Sequence, residues 1–300
     1  QMSSIIAHIR LTRPANIVTA IADILAGAAI SGAVYFLLEE MDVTMLKSIG
    51  WLVLATIGLY GGGVAFNDVF DAELDRVERP ERPIPSGLAS VKSAGLMAFL
   101  LLLIGVLAAW QVSGFSAVIA ISVAFLAVLY DAWGKHQNIF GPINMGLCRA
   151  GNLLLGMSLI EGAVETYWYI GLIPLLYVSA ITMVSRGEVH GKNTTALKAG
   201  LVIYGVIVVS IFLLAYMNIE NWWESLPFLA LLSYFIFPPL VKALKFKEPS
   251  LIGRSVKAAV LALIIVNATM AAAFAGWIVG LVILLLLPLS LQLAKGFAVT

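Results

Sequence analysis

Long apolar runs separated by short charged segments limit this chain to a narrow set of folds. A helix needs roughly 17–25 apolar residues to cross a hydrocarbon core of about 30 Å. Ten runs of such length lie near residues 15–37, 45–66, 92–112, 114–131, 141–160, 166–185, 197–217, 223–243, 255–275 and 277–293. Only Gly276 separates the last two runs, so the sequence predicts an all-α membrane bundle of nine to ten transmembrane helices.

Composition excludes several classes of function. Of the 300 residues, 61% are hydrophobic and 12% are charged, and the mean hydropathy of +0.99 is typical of a polytopic membrane protein. A net charge of +1 gives no reason to expect a nucleic-acid partner. The single cysteine, Cys148, and three scattered histidines favour neither thiol catalysis nor a zinc site. No long linker divides the chain, so residues 1–300 are predicted to form a single domain.

The distribution of lysine and arginine predicts the orientation in the membrane. If the N-terminus is cytoplasmic, sixteen of the eighteen basic residues fall on the cytoplasmic side, as the positive-inside rule expects. Only Lys47 lies opposite, and Arg149 lies inside the fifth run. The loops at 67–91, 132–140 and 186–196 are then cytoplasmic and carry most of the functional groups, so the site is expected to open there.

One charged segment stands out, from Asn67 to Gly87, which reads NDVFDAELDRVERPERPIPSG. It holds six of the chain's seventeen acids and follows an apolar run directly. If the helix continues into it, Asp68, Asp71 and Asp75 lie on one face, where like charges repel unless a cation lies between them. Carboxylates that share a ligand's phosphates suit Mg²⁺. The arginines that follow suit phosphate oxygens, because the guanidinium fork is bidentate. The alternative is a solvated helix end, but a solvated face would carry both acidic and basic residues.

This segment resembles the first aspartate-rich motif of the UbiA superfamily of intramembrane prenyltransferases. The pattern N-D-x-x-D-x-x-x-D, followed by R-P-x-R-P-I-P-S-G, is matched by Asn67, Asp68, Asp71, Asp75, Arg79, Arg82 and Gly87. The segments YDAWGKH, GPINMGLCRAGNLLLGMS and SRGEVHGKN are most similar to the EboC-type branch, a set of UbiA-like proteins found in bacterial gene clusters. The resemblance implies a UbiA-like fold in a bacterial cytoplasmic membrane, Mg²⁺ as cofactor and an isoprenyl diphosphate as donor.

The same resemblance implies roles for residues on other runs. It places Asn16 near the substrate, Lys135 on the diphosphate and Tyr130 beside the reacting carbon, where an electron-rich ring stabilises a cation. It places Asn152 on the cavity wall. Arg149, buried in the same run, needs a partner, and Asp23 in the first run is one candidate. For Asp23 and Arg149, a structural and a functional role both stay open.

The second aspartate motif of the family is absent from its expected place. UbiA enzymes usually carry D-x-x-x-D at the end of the sixth span, whereas residues 185–193 here read SRGEVHGKN. Glu188 is the single carboxylate and is predicted to hold metal alone. Arg186 and Lys192 are predicted to replace part of the metal's charge on the diphosphate. His190 is either a loop residue or a base toward the acceptor.

The function predicted from this resemblance is Mg²⁺-dependent transfer of an isoprenyl group to a small acceptor at the membrane. Gene clusters of the EboC type also encode proteins similar to sugar-phosphate cyclases, which favours a small cyclic acceptor, aromatic or polyol. The alternative is a catalytically inactive UbiA-fold protein that binds or handles a prenyl lipid. The altered second motif favours this alternative, and the intact first motif argues against it.

Overall fold

The computed structural model describes residues 4–186, 194–218 and 222–297, and all regular structure in those ranges is helical. The helices are α1 Ser4–Leu11, α2 Pro14–Ile30, α3 Ala33–Leu38, α4 Val43–Phe70, α5 Ala72–Glu78, α6 Val91–Trp110, α7 Gly114–Ala132, α8 Phe140–Met157, α9 Ala163–Tyr167, α10 Leu172–Ser185, α11 Thr194–Asn218, α12 Leu226–Phe246, α13 Pro249–Ala275, α14 Trp277–Leu284 and α15 Leu286–Gly296. Short 3₁₀ turns occur at Gly134–His136, Trp168–Gly171 and Trp222–Ser225.

The count of membrane-crossing helices agrees with the sequence. In the described ranges, eight helical segments are long and apolar enough to cross a membrane, and α1 with α2, bent by 43°, makes a ninth. The run predicted at 141–160 is α8, which carries Asn144, Arg149 and Asn152 and is less apolar than the others. Many large apolar side chains on α6, α7 and α11 are exposed. Such a surface needs lipid around it, so this is an integral membrane protein.

Two predicted spans are broken and one is extended. The first, predicted at 15–37, ends at Ile30 and resumes as α3 after Gly32, whose φ of 85° favours glycine. The last consists of α14 and α15. The second runs on to Phe70 instead of residue 66. This extension brings Asn67 and Asp68 into the last turn of α4.

Helices α2, α8 and α13 form the centre of the bundle. Helix α13 is the most buried of the membrane-crossing segments, and it packs against α2, α11, α12 and α14. Helices α4, α6 and α7 pack together on the other side, and α8 lies between α2, α7 and α10. Helix α2 therefore contacts both halves of the bundle.

Helices α2 and α8 approach each other at a pair of glycines. A Cβ on Gly27 would lie 2.7 Å from the backbone of Gly156, and one on Gly156 would lie 2.5 Å from the Ile24 carbonyl oxygen. Only glycine allows the two backbones to come this close. The close crossing brings the middle of α2, with Asp23, against the middle of α8, with Arg149.

Candidate active site

The candidate site lies where several helix ends meet at one end of the bundle, which we call the acidic end. Its polar side chains come from the residue before α2, the end of α4, the junction of α4 and α5, α5 itself, the loop after α5, the last turn of α7 and the turn after α7. We call this group the acidic-end cluster; it comprises Arg13, Asn67, Asp68, Asp71, Asp75, Arg82, Asp131 and Lys135. Residues far apart in sequence are thus brought together by the ends of α2, α4 and α7.

The three aspartates of the motif do not lie on one uninterrupted helix. Helix α4 ends at Phe70, and Asp71 has φ −88° and ψ 2° before α5 begins. The hydrogen bonds from Asp71 N–H to Asn67 and from Asp75 N–H to Asp71 persist at 2.9 and 2.8 Å, so the break is slight. It nevertheless separates the acids: Asp68 and Asp75 share one arginine, while Asp71 bonds a lysine from another helix end.

Arg82 joins two of the aspartates. Its Nη1 donates to Asp68 Oδ1 at 3.2 Å and to Asp75 Oδ2 at 2.6 Å. Arg13 donates to the same Asp68 oxygen at 3.1 Å. The loop that carries Arg82 is stiffened by prolines on both sides and anchored by Ile84, which is buried against α1, α4 and α6. The guanidinium is therefore held where two carboxylates converge, the place where a repelling pair needs a cation.

Lys135 and Asp131 complete the cluster from the α7 side. The Lys135 ammonium donates to Asp71 Oδ1 and lies 5.9 Å from the centre of the Phe70 ring. Asp131 is buried and accepts from Asn67 Nδ2 at 2.9 Å. Tyr130, next to it in sequence, is half-buried in the same last turn of α7. The predicted Tyr130 and Lys135 thus lie with the first motif at one site.

Arg186 holds the loop that carries Lys135. Its guanidinium donates to Asn138 Oδ1 at 3.1 Å and to the carbonyls of Lys135 and Gln137 at 3.3 and 2.6 Å. The end of α10 is thereby fixed to the turn after α7. Arg79, in contrast, is exposed and forms no ion pair among the residues that the structure describes. Its guanidinium is available to a ligand.

The donor set fits Mg²⁺ when part of the coordination comes from elsewhere. Among the described side chains, no three of the His, Cys, Asp and Glu type are grouped to hold an ion. Mg²⁺ keeps several waters, however, and is usually bound by one or two carboxylates together with phosphate oxygens. Asp68 and Asp75 already converge on a single nitrogen of Arg82, so these two carboxylates meet that requirement.

A second polar group lies halfway along the helices, and we call it the mid-bundle cluster. It comprises Thr19, Asp23, Thr56, Arg149, Asn152 and Asn267. Asp23 is fully buried and accepts from Arg149 Nη1 at 2.6 Å, from Asn152 Nδ2 at 2.9 Å and from Asn267 Nδ2 at 2.6 Å. Asp23, one candidate partner of Arg149 in the sequence, is thus the carboxylate that pairs with it.

The remaining predicted residues are distributed unevenly. Asn152 belongs to the mid-bundle cluster, where its Oδ1 accepts from Thr56 at 2.8 Å and its Nδ2 also donates to the Ala20 carbonyl at 2.9 Å. Asn16 is buried in the first turn of α2, next to Arg13. Glu188, His190 and Lys192 lie outside the described residues.

Sequence reasoning missed two members of the acidic-end cluster. Arg13 counts among the cytoplasmic basic residues, and it directly precedes Pro14 at the start of the first predicted span. Asp131 follows Tyr130 at the end of an apolar run. An acid in that position is costly without a function or a partner, and this was the signal available.

Comparison with known proteins gives a consistent family. A sequence profile of the UbiA prenyltransferase family matches residues 25–247. The digeranylgeranylglyceryl phosphate synthase of Methanosarcina mazei is 30% identical over 173 residues, which is 55% of this chain and 60% of that enzyme. The enzyme of the same name from Ignicoccus hospitalis is 30% identical over 186 residues, 62% of this chain and 58% of that enzyme. The matches thus span less than two thirds of these relatives.

The fold is also that of solved UbiA homologues. The structure of a UbiA homologue from Archaeoglobus fulgidus bound to GPP and Mg²⁺ superposes with a TM-score of 0.62 and 15% identity, covering 92% of this chain and 99% of that one. At this identity the likeness shows the fold alone.

Proposed function

Because the chain belongs to the UbiA prenyltransferase family, we propose that it transfers an isoprenyl group from an isoprenyl diphosphate to an acceptor within the membrane. The observation that carries the proposal is the acidic-end cluster, where Asp68, Asp71 and Asp75 meet Arg82 and Lys135 at the end of an apolar bundle. A ligand with a charged head and a long apolar tail fits such a place. The head lies among the charges and the tail lies between helices.

The donor's diphosphate is bound by an exchange of partners. In the structure, Arg82 and Lys135 neutralise the aspartates. When the diphosphate enters, both cations turn to its oxygens, and Arg79 adds a further guanidinium from the solvent side. Asp68 and Asp75, together with Asp71 and Asn67, are the residues that would hold Mg²⁺, and the bound ion would neutralise phosphate charge. Glu188 and Lys192 stay predicted contributors to the metal and the diphosphate, respectively.

Ionisation breaks the bond between the first isoprenyl carbon and the diphosphate oxygen. The electron pair leaves with the diphosphate, whose growing charge is stabilised by Arg79, Arg82 and Lys135. The allylic cation that remains lies beside the face of the Tyr130 ring, which attracts it. The acceptor nucleophile forms the new bond to carbon and loses its proton, which the released diphosphate takes up. Bulk water must be excluded, because it would capture the same cation.

The acceptor is the finer part of the proposal. The relatives are digeranylgeranylglyceryl phosphate synthases, and that name describes a prenylated glyceryl phosphate. This supports a hydroxyl acceptor over an aromatic ring. The similarity of three segments to EboC-type proteins supports a small cyclic polyol. Both acceptors present an alcohol oxygen, so transfer to oxygen is the chemistry they share.

The test is pyrophosphate release by the purified protein in nanodiscs. Geranyl, farnesyl and geranylgeranyl diphosphates are each supplied with Mg²⁺ or with EDTA. Geranylgeranylglyceryl phosphate and a cell extract serve as separate acceptor sources. We expect Mg²⁺-dependent release together with a new prenylated mass, and the acceptor that gives this mass identifies the class.

The alternative makes a different prediction in the same assay. A protein that only binds a prenyl lipid would bind the three diphosphates and release no pyrophosphate with any acceptor source. That result would refute the transferase. Release that is unaffected by EDTA would instead refute the assignment of Mg²⁺ to Asp68 and Asp75.

A further inference from the structure

A groove outside the candidate site lies between α12 and α13, near the turn that joins them. Its volume is about 460 Å³, and it opens to the surroundings of the bundle. We call it the α12–α13 groove; it is lined by Tyr234, Phe235, Pro238, Pro239, Lys242, Leu251, Arg254 and Ala258. Arg186, at the end of α10, lies at the acidic end. Helix α11 leads away from that end and α12 returns to it, so the turn between α12 and α13 also lies there. The groove therefore faces the same leaflet as the acidic-end cluster.

Two adjacent prolines shape the wall of the groove. Pro238 and Pro239 lie inside α12 and carry no N–H, so the carbonyls of Tyr234 and Phe235 lose their usual helical partners. Both carbonyls belong to residues that line the groove. The proline rings, together with Tyr234, Phe235 and Ala258, give this wall an apolar surface along which an acyl chain can pack.

The mouth of the groove is strongly basic. Lys242 and Arg254 line it and are exposed, and neither forms an ion pair with any residue in the described ranges. Three more cations flank the same turn, against one acid, Glu248; they are Lys245, Lys247 and Lys257. Lys242 is four residues from the end of α12 and Arg254 five from the start of α13, which places both about 6–8 Å from the helix ends. Long cationic side chains at that depth reach the head-group region.

We propose that the α12–α13 groove binds an anionic glycerophospholipid of the surrounding leaflet. Its phosphate lies between Lys242 and Arg254, and one acyl chain follows Tyr234, Pro238 and Ala258 into the bilayer. A basic pocket between membrane helices is the kind of site that holds acidic lipid head groups. Free phosphate would leave the apolar wall uncovered. An acidic protein bound at the membrane surface would not reach below the head groups, so it would leave that wall uncovered too. The apolar depth therefore favours a lipid.

The proposal is tested by counting bound lipid with native mass spectrometry. The whole protein in detergent is titrated with dioleoyl phosphatidylglycerol or with dioleoyl phosphatidylcholine, which share their chains. We expect one phosphatidylglycerol to bind more tightly than the rest and than phosphatidylcholine. The Lys242→Gln/Arg254→Gln variant should bind this lipid about 30-fold more weakly, at roughly a factor of five per cation. Lys92→Gln/Lys295→Gln, which removes two exposed lysines elsewhere, should bind as the unaltered protein does.

A third variant separates a groove from a merely charged surface. Ala258→Phe fills the apolar wall and leaves every cation in place, so it should also weaken phosphatidylglycerol binding, by at least tenfold. The proposal is overturned if the two lipids bind equally, or if both double variants lose the same amount. It is overturned as well if Ala258→Phe, with an unchanged thermal midpoint, binds phosphatidylglycerol normally. Inorganic phosphate at equal concentration should not displace the lipid.

Discussion

The acidic-end cluster and the mid-bundle cluster contain the same kinds of side chain but hold them differently. In the first, Arg82 sits on a loop, Lys135 on a short turn, and their side chains are 15% and 12% exposed. In the second, Asp23 and Arg149 are 1% and 7% exposed and lie at a glycine-mediated helix crossing. Each carboxylate oxygen of Asp23 has a partner from a packed helix.

This difference indicates which cluster is able to bind a ligand. An ion pair whose cation is on a loop exchanges partners at modest cost, because the cation moves without disturbing helix packing. A buried pair that loses a partner leaves an uncompensated charge, which costs about 3–5 kcal/mol. We therefore assign donor binding to the acidic-end cluster and a structural role to the mid-bundle cluster.

The largest effect is expected from Asp23→Ala, which leaves Arg149 buried without its carboxylate. The free energy of unfolding should fall by about 3–5 kcal/mol, measured as loss of thermal stability in detergent. The double variant Asp23→Leu/Arg149→Met should recover much of that stability, because apolar residues of similar size replace the whole pair. A stable Asp23→Ala protein that has lost only activity would place this cluster in the active site.

The next effect is expected from Asp71→Ala at the acidic end. The rate of Mg²⁺-dependent pyrophosphate release should fall by about 10²–10³-fold, a loss of the size seen when one electrostatic contact to a transition state is removed. The thermal midpoint should move by no more than about 4 °C. Glu73→Ala is the matched control, because Glu73 lies two residues away, is exposed and, among the residues that the structure describes, forms an ion pair with Arg76 alone. Full activity in Asp71→Ala would contradict the site.

A smaller effect is expected from Arg82→Gln. The variant keeps a hydrogen-bond donor but loses the positive charge that we assign to the diphosphate. The KM for the isoprenyl diphosphate should therefore rise about 10–100-fold, as for a lost hydrogen bond between charged groups. Arg76→Gln should leave the KM unchanged, because an exposed pair contributes little. An equal change in both variants would show that the effect is only one of surface charge.

The smallest effect is expected from Arg186→Gln. Its guanidinium donates to the loop carbonyls of Lys135 and Gln137, so the variant should loosen the loop that carries Lys135. The kcat should fall by about tenfold, the effect of losing roughly one such hydrogen bond. Arg186→Lys should restore part of the rate. A rise in KM as large as that of Arg82→Gln would show instead that Arg186 binds the diphosphate directly, as the sequence predicts.

The sequence predicts the helices and the residue types of the site better than it predicts which side chains contact each other. Apolar runs predict spans because lipid requires every backbone group to bond within its own segment. The motif from Asn67 to Gly87 was recognisable because its residues follow one another closely in the sequence. The pairing of Asp23 with Arg149 was also predictable, since two ionisable residues buried in apolar runs need each other.

Contacts between distant segments could not be predicted in the same way. That Arg82 turns back onto Asp68 and Asp75 depends on the path of a proline-rich loop. That Asn67 bonds Asp131 depends on how α4 and α7 end side by side. Neither helix propensity nor hydrophobic periodicity predicts the slight break at Asp71. It lies where Asp71 meets Lys135 from the turn after α7.

We expect the acidic-end ion pairs to open and bind the donor while the mid-bundle cluster stays closed. The decisive measurement is a structure of the protein in nanodiscs with farnesyl thiodiphosphate and Mg²⁺. The diphosphate should lie among Asp68, Asp71 and Asp75, with Arg82 moved from its 2.6 Å contact with Asp75 onto phosphate oxygens and the 2.6 Å contact of Arg149 with Asp23 unchanged. An analogue bound to Arg149, with Arg82 still on Asp75, would refute this assignment.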